Sequence, residues 1–233
     1  MRRRDYLRVG GVLAAGIGAG CLGSDAAAAN RFDYGTTRTR GVEVPLVPVA
    51  DAIEWYENDD AVFADARSRA AYESAHIAGA LLSPAPDGQA EGDPLADLDQ
   101  STRITTYCGC PHHLSSLRGS TLIKNGYERT YALDEGFVEW RDQGHPIEGS
   151  QTDSNPDLFT ISGRTDPAAD GKLAWVWHDP SGQREAAPID ADGRFALDVR
   201  FYDVTAASVV RLRTPAGEVT GHLGDLAGGT VEL

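Results

Sequence analysis

Apolar residues fall in short runs along the chain, and the rhythm of those runs changes near residue 150. Upstream of that point strand-like and helix-like runs alternate. Val49–Tyr56 predicts a helix entered from Pro48, a residue that a helix start tolerates. Ala61-Val62-Phe63-Ala64 reads as a buried strand, Ser68–Ala75 as a helix, and Ala80-Leu81-Leu82 as a short strand. A polar loop, Pro84–Asp97, follows. Ile104–Tyr107 predicts a strand, Leu114–Lys124 a helix, Arg129–Ala132 a last short strand, and Phe137–Asp142 a closing helical turn. This alternation is that of an α/β layer fold, assigned to residues 41–150.

Gln151–Pro156 is polar and contains a proline, which predicts a linker. Beyond it, in 157–233, six short runs of period-two or apolar character begin at Leu158, Leu173, Ala186, Arg194, Ser208 and Glu218. Asp-Gly, Pro-Ser-Gly and Pro-Ala-Gly turn signals separate them, and no helical stretch interrupts them. That spacing predicts a small all-β sandwich. Leu173, Trp175 and Trp177 share one strand parity and belong on one face. They are either core residues or, if exposed, a surface for a protein or glycan partner. His178 and His222 have no supporting neighbours and read as surface residues.

The N-terminus changes the picture of where the protein works. Arg2-Arg3-Arg4-Asp5-Tyr6-Leu7-Arg8 resembles a twin-arginine export signal, and a Gly/Ala-rich apolar run from Val9 to Gly20 follows it. The run is too short and glycine-laden for a durable membrane span. It ends in Gly18-Ala19-Gly20-Cys21, which resembles a lipobox. The expectation is therefore a signal peptide over 1–20, lipidation at Cys21, and a flexible tether over 21–40. An ordinary signal peptide with an incidental Cys21 is the alternative. The predicted protein is exported, extracytoplasmic and held at the cell membrane by its lipid.

Net charge is −14, and removal of 1–20, with Arg2, Arg3, Arg4 and Arg8 against Asp5, takes it to −17. Lysine occurs only at Lys124 and Lys172. An acid-rich, lysine-poor surface suits a halophilic setting and lacks the basic stripe that nucleic-acid binding needs. With Cys21 assigned to the anchor, only Cys108 and Cys110 remain, so packed cores rather than disulfides must supply stability.

Those two cysteines lie where the chemistry gathers. The strand-like run stops at Cys108, a tight Gly109-Cys110-Pro111-His112-His113 loop follows, and a helix begins at once. Loop amides and a helix N-terminus favour thiolate over thiol. Cys110 has two readings: a resolving or redox partner that attacks an oxidised Cys108, or a small packing residue. No metal or cofactor is expected. The alternative is a metal held by Cys108, Cys110, His112 and His113, against which the crowding of adjacent ligands counts.

The order of motifs in residues 44–149 resembles the rhodanese-like family. Asp65-Ala66-Arg67, Tyr72 and His76-Ile77-Ala78-Gly79-Ala80 match its first signature. Tyr107-Cys108 before a helix matches its active-site element. Gly126-Tyr127, Leu133-Asp134-Glu135-Gly136, Trp140 and Gly144-His145-Pro146 match its closing motif. The resemblance implies a central, mostly parallel sheet flanked by helices and a sulfurtransferase activity. It implies Cys108 as the nucleophile that becomes a persulfide, with a small sulfur donor and a thiol acceptor as partners. The implied anion cradle is the loop Gly109, Cys110, Pro111, His112, His113 and Leu114, through its N–H groups. Asp65, Arg67 and His76 read as structural. This chain departs from the family in placing His113 where an arginine is usual, and Leu114 rules out a phosphatase-type Cys-x5-Arg. A non-catalytic redox-sensing or metal-binding module built on the same loop is the alternative function.

Overall fold

The computed structural model describes residues 34–89 and 92–233. The predicted signal peptide, Cys21 and most of the tether lie outside the described residues. Residues at the end of the predicted tether do not behave as one. Thr36–Thr39 form strand β1, paired antiparallel with β2 (Val42–Val47) across a tight Arg40-Gly41 turn. The β-branched residues Thr36, Thr37 and Thr39 suit a half-exposed strand, which composition alone had hidden.

Next come α1 (Val49–Glu57), β3 (Val62–Asp65), α2 (Arg69–Ser74), β4 (His76–Ile77) and β5 (Leu81–Leu82). Beyond the polar loop lie β6 (Ile104–Tyr107), α3 (His113–Lys124), β7 (Thr130–Leu133), α4 (Gly136–Asp142) and β8 (Ile147–Glu148). Six strands make one sheet in the order β1-β2-β7-β6-β3-β5, and every pairing but β1–β2 is parallel. Its central strands are buried on both faces, as a parallel sheet between helices requires. Phe63, Tyr107 and Tyr131 pack with Trp55 of α1 and Phe137 and Trp140 of α4. Ala64 and Ile104, of opposite parity, pack with Leu122 of α3.

The C-terminal strands are β9 (Phe159–Arg164), β10 (Leu173–His178), β11 (Gln183–Pro188), β12 (Arg194–Val199), β13 (Val209–Arg213), β14 (Glu218–His222) and β15 (Thr230–Glu232). They form a four-stranded sheet, β11-β10-β13-β14, and a three-stranded sheet, β12-β9-β15. Ile161 and Leu197 from one sheet meet Val176 and Leu212 from the other in a shared apolar core. The expectation of an all-strand C-terminal region needs one correction. A short helix, α5 (Leu223–Ala227), sits between β14 and β15 and buries Leu223 in that core.

The described residues form one compact unit. The outer face of the four-stranded sheet turns to the α/β layer, where Leu173, Trp175 and Ala186 pack with Cys108, Leu114 and Leu117. As their parity predicts, Trp175 and Trp177 lie together, stacked at 5.6 Å. The guanidinium of Arg211 lies 4.5 Å from the Trp177 ring centroid, so much of this aromatic face is already engaged. His178 is half-buried with Ser181, and His222 is exposed.

Candidate active site

Strand β6 ends at Tyr107 and delivers Cys108 into the loop before α3. Three features hold that loop. The Phe137 N–H donates to the Cys108 carbonyl at 2.8 Å. Gly136, with φ +77°, lets the chain pass so close that a Cβ there would lie 2.7 Å from the Cys110 carbonyl oxygen. His112 takes a left-handed conformation, φ 38°, and its ring reaches Asp134 at 3.2 Å.

Below the loop, Asp65 and Arg67 form a buried bidentate pair, with Nε to Oδ1 at 2.9 Å and Nη2 to Oδ2 at 2.6 Å. Arg67 also donates to the Ala75 carbonyl, and its guanidinium lies 4.4 Å from the Phe137 ring centroid. Burial opposes the Arg67 charge, but Asp65 more than offsets it and holds the guanidinium protonated. His76 stacks on Tyr72 and bridges the Tyr72 carbonyl to Glu148. All three side chains are held by partners within the α/β layer. Arg118, inside α3, is buried and pairs with Asp93 and with Ser83 Oγ, pinning the polar loop.

The Cys108 sulfur is fully buried. Its neighbours differ from the amide cradle expected over Gly109–Leu114. The polar groups on this sulfur include the Cys110 thiol, Ser115, one residue further into α3, and the Cys110 carbonyl at 3.0 Å. Leu114 instead packs its side chain into the apolar cluster around the sulfur, and Pro111 is exposed. The tight turn at left-handed His112 leads straight into the helix, and the backbone amide that reaches Cys108 is that of Ser115.

Two influences compete at Cys108. Burial raises its pKa, and the carbonyl at 3.0 Å suits a thiol that donates to it. The Cys110 thiol, together with the Ser115 hydroxyl and N–H, stabilises the anion and brings the pKa down to about 5. Several donors against one acceptor decide for the thiolate. Cys110 goes the other way: hydrogen bonding to Cys108, burial and the nearby Glu185 push its thiol up. One negative charge therefore rests on the pair first, and it rests on Cys108.

Cys110 and His113 come together, with Sγ and Nδ1 3.7 Å apart. His112 turns away to Asp134, and Cys108 stays outside the cluster, so the four-residue metal set suggested by the sequence is not assembled. A residue that sequence reasoning missed takes their place. Glu185 of β11 brings its carboxylate within 4.8 Å of both the Cys110 sulfur and a His113 ring nitrogen. Burial, then the charge on Cys108, push the Glu185 carboxyl well above the usual carboxylate range. Burial also pushes His113 down.

The α/β part of the chain is similar to known proteins. The family model for the rhodanese-like domain matches residues 49–143. Thiosulfate sulfurtransferase GlpE of Pseudomonas putida is 31% identical over 111 residues, which cover 47% of this chain and 94% of that protein. The protein of the same name from Pseudoalteromonas translucida is 31% identical over 96 residues, covering 40% and 86%. Among solved structures, a rhodanese-like domain from Anabaena is 25% identical, with a TM-score of 0.42 over 48% of this chain and 85% of that one.

Proposed function

The chain belongs to the rhodanese-like family, and from that premise we propose that it is a sulfurtransferase carrying sulfane sulfur as a persulfide on Cys108. The observation that carries this reading is the setting of Cys108. The residue stands at the end of β6, immediately before α3, with the Ser115 hydroxyl and N–H on its sulfur. The thiolate attacks the outer sulfur of a donor such as thiosulfate, the substrate class named by the relatives. The donor's S–S bond breaks, its electron pair leaves with sulfite, and Cys108 holds the persulfide. A thiol acceptor then attacks the outer sulfur and Cys108 departs as thiolate.

In this reading Cys110 is the residue that resolves the persulfide. Its thiolate attacks the inner sulfur, an intramolecular disulfide forms, and hydrosulfide leaves. In this reading the protein works outside the cytoplasm, tethered by a lipid on Cys21. Cys21→Ser should then move it from the membrane fraction to the soluble one.

One observation favours a second reading, a non-catalytic redox or binding module: Cys108 has no exposed surface, being covered by the β10–β11 side of the C-terminal layer. The two readings part in one experiment. Reduced protein is incubated with thiosulfate and with polysulfide, and intact mass is recorded. A one-sulfur adduct that Cys108→Ser abolishes supports transfer. Absence of the adduct with every donor, while denatured protein alkylates normally, supports the module.

A further inference from the structure

Glu185 is a buried carboxylate with no arginine or lysine within salt-bridge distance among the described residues. One of its oxygens is engaged locally, accepting the Ala186 N–H at 2.9 Å. From the α/β layer a thiol and an imidazole, Cys110 and His113, come within 4.8 Å of it, and Arg67, beyond salt-bridge distance, adds a favourable charge. A buried acid beside a buried sulfur is a costly arrangement unless a proton or a cation sits between them.

The geometry points to a divalent zinc site made by Cys110 Sγ, His113 Nδ1 and the Glu185 carboxylate. Thiolate, imidazole and carboxylate are the three ligand types that zinc accepts together, whereas magnesium and calcium avoid sulfur. Spacing agrees with the assignment. Zn–S of about 2.3 Å and Zn–N of about 2.0–2.1 Å at a tetrahedral angle place S and N about 3.6 Å apart. The observed separation is 3.7 Å. A dication cancels the two negative charges of thiolate and carboxylate, so the buried cluster becomes neutral. Three protein ligands leave a fourth position for water or another ligand; His113 lines two surface cavities, of about 550 and 200 Å³, and Cys110 lines one of about 160 Å³.

The site joins the two layers: Cys110 comes from the loop before α3, His113 opens α3, and Glu185 comes from β11. An ion there ties the C-terminal sheet down over Cys108 and holds the Cys110 thiolate away from a persulfide. The metal site does not require the persulfide chemistry, and its test reads the metal alone.

Full-length protein, reduced and stripped with chelator under argon, is titrated with cobalt(II) as the spectroscopic probe and then with zinc. The expected result is one cobalt per chain, a thiolate-to-cobalt charge-transfer band, and displacement by zinc. Cys110→Ser should abolish the band while Cys108→Ser retains it. Glu185→Gln, nearly isosteric, should weaken affinity at least about tenfold, the loss typical of even an outer-shell change at such sites. Circular dichroism on each variant separates lost ligation from lost folding. No saturable cobalt or zinc in folded protein would overturn the site and leave Glu185 as a neutral acid bonded to Cys110. So would a band lost in Cys108→Ser but kept in Cys110→Ser, or unchanged affinity in folded Glu185→Gln.

Discussion

Ser115 meets Cys108 twice, through its backbone N–H and through a hydroxyl oxygen 3.6 Å from the sulfur. The amide cannot be mutated away, but the hydroxyl can. A hydrogen bond to a charged group contributes about 1.5–3 kcal/mol, and each pKa unit corresponds to about 1.4 kcal/mol. Ser115→Ala should therefore raise the pH midpoint of Cys108 alkylation by about one pH unit in reduced, chelator-treated protein. The sign follows from removing a donor to the charged form. In the native protein the stabilisation from this ionisation is complete above the ordinary thiol value of 9.0 and lost as pH falls through about 5. In the variant the lower edge of that window moves up. An unchanged midpoint would show that the hydroxyl does not act on the anion.

Arg67 and Asp65 are both buried, so removing one leaves the other a bare charge in the core. Arg67→Met should cost about 3–5 kcal/mol in urea unfolding, the range for a broken buried pair. Adding Asp65→Asn should restore most of that loss. If the single variant costs less than about 1 kcal/mol, water already reaches the carboxylate and the pair does not anchor the loop.

Much of this scaffold can be read directly from residue order. Ile104–Tyr107 and Leu114–Lys124 predict the strand and helix around Cys108 to within one residue, because a β-branched run and a helical period adjoin there. Asp65 and Arg67 declare themselves by spacing, since a side chain two residues on from a strand end can fold back to it. Three features escape such reasoning. Thr36–Thr39 looks like a polar tether until Val42–Val47 pairs with it. His112 and His113 are neighbours in sequence, yet left-handed backbone at His112 sends one ring to Asp134 and the other to Cys110. Glu185 lies 75 positions beyond Cys110 in Gln183–Pro188, a strand poor in β-branched residues, where an acid reads as solvent-facing. Only the packing of β11 on the loop reveals that it is buried.

Gly136 lets two backbone segments cross. Its φ of +77° is left-handed, and an added Cβ would lie 2.7 Å from the Cys110 carbonyl oxygen and 3.0 Å from that of Cys108. Gly136→Ala should lose about 1–2 kcal/mol from the left-handed backbone alone, and the close contacts add to it. The urea midpoint should fall with no change in slope, and the persulfide yield of the surviving folded protein should fall too. A variant within about 0.5 kcal/mol of the parent, with full yield, would mean that the cysteine loop gives way without consequence.

Trp175 tests whether the C-terminal layer governs access to the sulfur. It packs against the cluster that contains Cys108, and it lies on the same sheet face as Leu173. Half-buried rather than enclosed, Trp175 should cost less on truncation than the roughly 3–5 kcal/mol of a core Trp→Ala. The fold should therefore survive Trp175→Ala while the cover over the loop loosens. Local opening, not global unfolding, then sets how often a reagent meets Cys108. Alkylation of Cys108 under native conditions should accelerate at least about tenfold, equivalent to about 1.4 kcal/mol off the opening free energy. The global urea midpoint should shift by less than that implies. If alkylation and global stability instead move in step, the sulfur is reached only through unfolding, and the layer is not a separable cover.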